Sequence, residues 1–377
     1  MKKTLLASAI AVTTGILLSG CGSDSDDNGN ADTDTGGSER NVSYATMDAT
    51  YGERVFFDLS TGVTVAEDQP WHISYQKYIG YGLNGGASGS GSVQGCVAKE
   101  YSVLYGENGE PVVAEFEKLN ADNTLTDFNN IDANSCSDFQ SDKLKTHIVM
   151  EDWLSAVYGP AGPSFSAKTD ASNGWIVRSA TMDESNTPDA YGRVRVAEVN
   201  YSSNPATREL KFAVELWNAG TQAFDTETVT ADFLNFTNGR VYWDMETNSK
   251  VTANDDWELS IEALGQLWNI QINSGVSGHG HAKIGVLPVG SAANVTNPTD
   301  RSQVYQWFTD GTVGTLSKPG DFGPMQYDMY GRHGMAPNFT HYLIRDGENT
   351  YKVQILNNYG EKGDEASGNL YLRYEAL

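Results

Sequence analysis

The chain of 377 residues carries 49 acidic side chains against 25 Lys and Arg, which gives a formal net charge of −24. This strongly acidic balance argues against nucleic acid or an anionic lipid surface as the main partner. The 39 glycines and 19 tyrosines are typical of short β-strands joined by turns.

The N-terminus has the pattern of a bacterial lipoprotein signal. Lys2 and Lys3 form a basic start, and residues 4–18 are an apolar stretch too short to span a bilayer comfortably. The stretch ends in Leu-Ser-Gly before Cys21. This resembles a lipobox, in which the cysteine is acylated and the signal peptide is cleaved immediately before it. Because two or more acyl chains give stable anchoring, we expect Cys21 to be the lipid attachment point and residues 1–20 to be removed.

An acidic tether follows the anchor. Residues 21–40 hold five aspartates and no large apolar side chain, so they cannot bury a core and act as a flexible spacer. Gly22, rather than Asp, follows the anchor cysteine, which favours delivery to the outer membrane. We expect a lipoprotein of the bacterial cell envelope, on the surface or the periplasmic face, that touches the membrane through its lipid anchor only.

Two cysteines remain beyond the anchor, Cys96 and Cys136. The cell envelope permits disulfides, and an even pair suggests one bridge. Metal binding by two lone thiols is disfavoured because they lack the CxxC spacing of a zinc site.

The remaining sequence contains one unit written twice. Corresponding stretches keep their order while their spacing drifts: 54–59 (RVFFDL) with 240–245 (RVYWDM), 84–97 (NGGASGSGSVQGCV) with 273–286 (NSGVSGHGHAKIGV), and 175–178 (WIVR) with 342–345 (YLIR). This is the pattern that a tandem duplication with loop insertions leaves in a sequence.

Within each copy the apolar residues alternate with polar ones. In ELKFAVEL, for example, Leu210, Phe212 and Val214 recur at every second position. A period of two is typical of half-buried antiparallel strands with one wet face. We therefore expect an all-β fold of two tandem antiparallel β-sheet domains, the first over residues 41–235 and the second over residues 236–377.

The repeated unit resembles the HmuY-type haem-binding lipoproteins. The resemblance covers nearly the whole mature chain, twice, and rests on the order and spacing of its pieces. In the first copy these are 55–62 (VFFDLSTG), Trp71, 83–89 (LNGGASG) and 159–163 (GPAGP); in the second they are 241–244 (VYWD), Trp257, 272–278 (INSGVSG) and 342–345 (YLIR).

The resemblance implies an all-β fold that grips haem in a surface cleft and passes it to an uptake receptor. Its implied protein partners are an outer-membrane haem receptor or host haemoproteins. In the best-known members two histidines ligate the iron, one of them immediately before Gly-Pro-Ala-Gly-Pro, and other members use methionine. Here Tyr158 precedes that motif in the first copy, and His333 stands at the matching place in the second. The second family histidine is missing from its expected place in both copies.

Five residues are candidates for holding haem. Haem iron is bound by His, Met, Cys or Tyr, within an apolar pocket. In the second copy His333 lies in a glycine-rich loop as an axial ligand, with Met335 beside it and Arg332 available for a propionate. In the first copy Tyr158 could bind ferric haem as phenolate, with His147 as second ligand. Each also has an ordinary interpretation as a loop or packing residue.

His279 and His281 stand where the first glycine frame has Ser90 and Ser92. In an extended segment this spacing places both imidazoles on one face, where they can chelate Zn²⁺, Ni²⁺ or Cu²⁺. Alternatively one of them caps the haem opposite His333, or both are solvated on a glycine turn.

The sequence carries no catalytic motif that competes with a binding function. It lacks a Gly-x-Ser-x-Gly elbow, a His-Glu-x-x-His pair and a phosphate-binding loop. We expect a protein that is not an enzyme and that captures haem for an uptake receptor. The alternative is a duplicated β-domain surface lipoprotein that has lost haem and binds another protein or a glycan.

Overall fold

The computed structural model describes residues 41–160 and 162–377. The predicted signal peptide, Cys21 and the acidic tether lie outside these ranges. Residues 41–377 form one compact unit. Among the described residues no helix is long and apolar enough to cross a membrane.

Short strands make up most of the fold. The first part of the chain forms β1 (Ser43–Asp48), β2 (Arg54–Asp58), β3 (Val63–Val65), β4 (Ile73–Gln76), β5 (Gly80–Leu83), β6 (Gln94–Lys99), α1 (Val113–Phe116), α2 (Leu125–Asn130) and β7 (Lys143–Lys145). The middle part forms α3 (Met150–Trp153), β8 (Leu154–Gly159), β9 (Gly162–Ala167), β10 (Trp175–Arg178), β11 (Tyr191–Ser203), β12 (Ala206–Asn218), β13 (Ala223–Phe224), β14 (Thr228–Val229) and β15 (Leu234–Asn235).

The last part of the chain continues in the same way. It forms β16 (Val241–Asp244), β17 (Ser249–Val251), β18 (Leu259–Leu264), β19 (Leu267–Ile272), β20 (Lys283–Gly285), β21 (Trp307–Phe308), β22 (Gly311–Val313), β23 (Met325–Tyr327), β24 (Met335–Pro337), β25 (His341–Asp346), β26 (Asn349–Asn357) and β27 (Asn369–Ala376). Single turns of 3₁₀ helix lie at Ser102–Leu104, Ala292–Asn294 and Thr315–Ser317.

The all-β prediction is confirmed, and the pairing within the named sheets is antiparallel. Alternation explains the strands: Leu210, Phe212 and Val214 of β12 are buried, whereas Lys211 and Glu215 between and beyond them are part-exposed. Side chains of a strand point alternately to opposite faces, so this pattern buries one face and leaves the other towards water.

The repeat appears in the order of the strands. One four-stranded sheet has the order β3-β2-β4-β5, and the equivalent strands of the second copy form a sheet of order β17-β16-β18-β19. The matched stretches beginning at Arg54 and Arg240 lie on the equivalent strands β2 and β16. The sequence repeat therefore corresponds to a repeated supersecondary unit.

The larger sheets join strands from both copies. One has the order β1-β27-β26-β25-β6, so its outer strands come from the first copy and its central strands from the second. The other has the order β13-β12-β11-β10-β20-β21, with β15 also paired to β12. Here β10 to β15 come from the first copy, and β20 and β21 come from the second. Each lobe thus takes the early strands of one copy and the late strands of the other.

Hydrophobic packing follows this exchanged arrangement rather than two consecutive domains. The first lobe, residues 41–142 and 314–377, has a core that runs from Met47 to Val93 and from Leu316 to Leu372. The second lobe, residues 146–310, has a core that contains Leu234, Phe236 and Val241 together. The domain boundary expected between residues 235 and 236 falls inside this second core, so the chain does not pass from one lobe to the other there.

The chain crosses between the lobes at two short strands that pair with each other, β7 and β22. An aspartate precedes each crossing and holds the glycine frame of its own copy. Asp142 Oδ2 accepts a hydrogen bond from Leu83 N at 2.8 Å, and Asp310 Oδ2 accepts one from Ile272 N at 2.9 Å. Both crossings therefore start from the same local geometry, as expected for a duplicated unit.

Candidate functional site

The loop between β23 and β24 presents His333 to solvent. The side chain of His333 is 80% exposed, and its backbone is left-handed with φ of 54°. His333 N donates a hydrogen bond to Asp328 Oδ1 at 2.6 Å, and Asp328 is left-handed as well. A non-glycine residue with positive φ is uncommon, and here the aspartate holds the loop in that conformation.

The His333 ring is oriented through one of its two nitrogens. Nδ1 lies 2.9 Å from the hydroxyl of Tyr327 and 3.6 Å from Asp328 Oδ2. The Tyr327 hydroxyl can accept a hydrogen bond from Nδ1 or donate one to it. In the tautomer with the proton on Nδ1, the lone pair on Nε2 is available for a metal. Within residues 41–160 and 162–377, Nε2 makes no hydrogen bond. Metal-binding histidines commonly show this arrangement, with the second nitrogen held by an oxygen group.

Residues around His333 provide apolar and cationic surface. Met335 is partly buried, and its N–H donates to the Tyr359 hydroxyl at 2.8 Å. Arg332 is exposed and forms no ion pair among the described residues. Tyr330, in the same loop, borders a groove of about 390 Å³. The groove is also lined by the apolar side chains Phe116, Leu119, Phe339, Leu356 and Tyr371.

The glycine frame that carries His279 and His281 is built around an asparagine. Asn273 Oδ1 accepts a hydrogen bond from Gly280 N at 3.0 Å, and Asn273 Nδ2 donates to Trp257 O at 2.8 Å. A Cβ at Gly278 would lie 2.2 Å from Asn273 Oδ1, which excludes any larger residue there.

The first copy repeats the frame without histidine. Asn84 Oδ1 accepts from Gly91 N at 3.0 Å, and a Cβ at Gly89 would lie 2.3 Å from that oxygen. The glycines thus serve the turn in both copies, and no bound metal is needed to explain them. His279 and His281 are both exposed on this turn. In the described part of the chain, neither joins a cluster of three or more potential metal ligands.

The two candidates in the first copy lie in different surroundings. His147 is half-buried and stacks on Phe308, with ring centroids 5.0 Å apart and planes 4° apart. Burial, and then the nearby Lys145, lower the pKa of His147. Tyr158 lies on β8 of the β8–β9 hairpin, paired with Pro163, and is 80% exposed. Across the described ranges, no hydrogen bond, ion pair or ring contact joins His147 to Tyr158, and none joins either to His333.

A buried titratable side chain lies at equivalent positions of the two lobes, His72 in the first and Glu258 in the second. In the first lobe the buried His72 has Nδ1 3.0 Å from Asp58 Oδ1. Burial lowers the pKa of His72, and the Asp58 carboxylate opposes that change. In the repeat, Trp71 corresponds to Trp257, so the next residues, His72 and Glu258, occupy equivalent positions. This correspondence is the sequence feature that could have indicated both residues.

Glu258 is only 1% exposed. Its Oε2 accepts a hydrogen bond from Met245 N at 2.7 Å, and its Oε1 accepts one from Ala180 N at 2.9 Å. Burial, and then the neighbouring Glu246, raise the pKa of Glu258 to about 8. Carboxyl oxygens of Asp244, Glu246 and Glu258 lie within 4.8 Å of one another, so this position holds a proton that a solvated carboxyl would release.

The structure also pairs the two remaining cysteines. Cys96 and Cys136 form a disulfide with their Cα atoms 6.2 Å apart. The bridge joins β6 to the segment that follows α2, beside the buried side chains of Ile131 and Leu343. It fastens the segment between them to the first lobe.

A scan against protein-family models and a search of curated proteins both found no match for this chain.

Proposed function

We propose that the chain is a haem-binding lipoprotein that captures haem at the β23–β24 hairpin, with His333 Nε2 as an iron ligand. The observation that carries this proposal is the orientation of the exposed His333 ring. Tyr327 and Asp328 engage Nδ1, and the opposite nitrogen faces solvent without a partner in the described residues. An imidazole held in this way needs little reorganisation to bind a metal.

The surrounding residues are suited to the rest of a haem. Met335 supplies a thioether close to His333 in sequence, and the exposed Arg332 supplies a cation for a propionate. The tyrosines of the hairpin and the apolar side chains of the groove beside Tyr330 offer surface for the macrocycle, and Glu117 and Glu361 also line this groove. Bound haem would supply an iron centre, and the chain would supply its ligand, its orientation and its shielding from water.

We further propose that the protein is anchored through Cys21 to the outer membrane of a bacterial cell. This rests on the signal and lipobox pattern, which lies outside the described residues. In this location haem taken from host haemoproteins would be passed to an outer-membrane receptor. Membrane contact is through the lipid anchor only, nucleic acid is not a partner, and the role is binding rather than catalysis.

The test is a hemin titration of the soluble mature chain, followed by its Soret absorption band. We expect a saturable shift of the Soret band in the wild type and its loss, or a changed band position, in His333→Ala. Tyr327→Phe removes the hydroxyl at Nδ1 and should weaken hemin binding by about 10-fold or more. The matched control is His279→Ala/His281→Ala, which removes two exposed imidazoles elsewhere. An unshifted Soret band in the wild type would overturn the proposal.

A second candidate function is supported by the separation of the candidate ligands. Neither His147, Tyr158 nor the His279/His281 turn contacts His333 among the described residues, so no second iron-binding histidine is paired with it there. A duplicated β-domain lipoprotein that has lost haem would bind another protein or a glycan instead. It would show no Soret shift with hemin, yet would co-purify with an outer-membrane receptor.

A transition-metal site at His279 and His281 stays a prediction. Two imidazoles alone make a weak site, because structural zinc takes four ligands. Titration of the wild type and of His279→Ala/His281→Ala with Ni²⁺ tests this site. The double variant should lose any Ni²⁺ binding that the two histidines provide.

A further inference from the structure

A polar cleft of about 580 Å³ lies where the two lobes meet. Strands β4 and β5 of the first lobe border one side. The glycine frame and β20 of the second lobe border the other, and the crossing strands β7 and β22 lie between them. None of the residues that line the cleft belongs to the hairpin of His333. The cleft is therefore separate from the haem site proposed above.

Basic side chains are concentrated in this cleft, although the chain as a whole has a net charge of −24. Arg54, Lys145 and Lys283 line it, against the acidic residues Asp310 and Asp321. Among the described residues none of these three cations forms an ion pair with a carboxylate. A cation left without a partner in so acidic a protein is a candidate for binding an external anion.

The guanidinium of Arg54 is held in place by neutral groups. Its Nη2 donates to Ser74 Oγ at 2.8 Å and to Ser88 O at 3.0 Å. Its Cζ lies 5.1 Å from the ring centroid of Phe56 and 5.4 Å from that of Trp71. These contacts fix its position. Burial lowers the pKa of Arg54, and the carboxylates of Glu67 and Asp142 act on its charge from a distance and oppose that effect. Within the described residues neither carboxylate forms an ion pair with Arg54, and Nη1 makes no hydrogen bond.

Lys283 has another cation as its neighbour. It pairs with Arg178 across β20 and β10, and both side chains are half-buried. Burial, and then the charge of Arg178, lower the pKa of Lys283. An anion beside Lys283 would relieve this repulsion and favour the charged form of the amine.

An independent polar group points to the same cleft. Ser274 lines it and is 3% exposed, and its hydroxyl has no hydrogen-bond partner in residues 41–160 and 162–377. Buried hydroxyls are normally paired, and an unpaired one calls for an explanation such as a missing ligand. The oxygen itself is buried, so an acceptor oxygen from a ligand would satisfy it only after the side chain rotates towards the cleft.

We propose that this interlobe cleft binds a small anion whose charge is carried by carboxylate or phosphate groups. Arg54, Lys145 and Lys283 supply the positive charge, and Ser274 would supply a hydroxyl donor once its side chain rotates towards the cleft. Charge-assisted hydrogen bonds to carboxylate or phosphate are about twice as strong as neutral ones. The site lies between lobes that exchange their strands, so a ligand there contacts both.

Isothermal titration of the soluble mature chain with citrate and with inorganic phosphate, at constant ionic strength, tests the proposal and distinguishes the two anion chemistries. We expect saturable binding of at least one of them with one site per chain. Lys145→Gln/Lys283→Gln should weaken that binding at least 10-fold. Lys250→Gln/Lys362→Gln changes the net charge equally at exposed sites outside the cleft, and should leave binding unchanged.

A second variant tests the cleft without removing charge. A Cβ at Gly311 meets no atom within 4 Å, and Gly311 does not have positive φ. Gly311→Leu should therefore fold and fill the cleft, abolishing anion binding. Gly159→Leu is the matched control, because that glycine is equally open but lies on the β8–β9 hairpin. The proposal is overturned if neither anion binds saturably, or if binding survives both Lys145→Gln/Lys283→Gln and Gly311→Leu. It is also overturned if the exposed-lysine control weakens binding as much as the cleft variant.

Discussion

Replacing Glu258 with glutamine should remove much of the pH dependence of stability between pH 5 and pH 8. The pKa of Glu258 is raised from 4.5 to about 8 by burial and by Glu246. Between these two values the folded protein holds a proton that the unfolded chain releases. Stability therefore falls as pH rises through this range.

The size of the effect follows from the pKa difference. At about 1.4 kcal/mol per pH unit, a change from 4.5 to about 8 corresponds to at most about 5 kcal/mol. The variant also has a constant cost, because the amide offers one acceptor oxygen to the N–H groups of Met245 and Ala180, where the carboxyl offers two. A lost buried hydrogen bond costs about 1–3 kcal/mol. Glu258→Gln should thus be less stable than the wild type at pH 5 and should equal or exceed it at pH 8.

The assay is urea unfolding followed by tryptophan fluorescence at pH 5, 6, 7 and 8 and constant ionic strength. Asp142 and Asp310 also have pKa values raised by burial, so the wild-type slope contains their contributions. The difference between the two proteins reports the interacting pair of Glu258 and Glu246, because the pKa of Glu246 is raised as well and the two carboxyls titrate together. Glu53→Gln is the control, because Glu53 is exposed. If Glu258→Gln loses stability with pH as steeply as the wild type and Glu53→Gln, the reasoning is refuted.

Three further outcomes are expected from urea unfolding. Cys96→Ser/Cys136→Ser opens a link between residues 40 positions apart and should lower the unfolding free energy by about 4 kcal/mol; a change below about 1 kcal/mol would contradict this. Asn273→Ala removes the hydrogen bonds to Gly280 and Trp257 and should cost about 2 kcal/mol. Asn84→Ala, which loses the bond to Gly91, should cost less, and the reverse order would count against the account of the glycine frame. Trp268→Ala empties a site surrounded by Trp153, Phe165, Tyr201 and Phe236 and should cost about 3–5 kcal/mol.

Sequence patterns predicted the strands and the repeat because both depend on local chemistry. Alternation in β12 reflects one buried face, and the two glycine frames recur because Asn84 and Asn273 each need a glycine against their side-chain oxygen. Which copy pairs with which is not local. Strands β10 and β25 carry the same pattern, so each could pair with β6 or β20, and the crossings at β7 and β22 decide the pairing.

The candidate site was predictable in residue type but not in geometry. The loop of His333 could be located from its glycines, whereas the contact with Tyr327 depends on the register that pairs Tyr327 with Met335. Glu258 belongs to no motif in the sequence, and its burial among the carboxyl groups of Asp244 and Glu246 appears only in the fold. The cleft cations are far apart in sequence, and they line one cleft because the first lobe, a crossing strand and the second lobe each contribute one of them.

The absorption spectrum of hemin-loaded protein, recorded for the wild type and His333→Ala at equal haem occupancy, tests the central claim most directly. The account predicts that the wild-type spectrum has the bands of histidine-ligated ferric haem and that these bands are lost in His333→Ala while His279→Ala/His281→Ala keeps them. Identical spectra for the wild type and His333→Ala would contradict it.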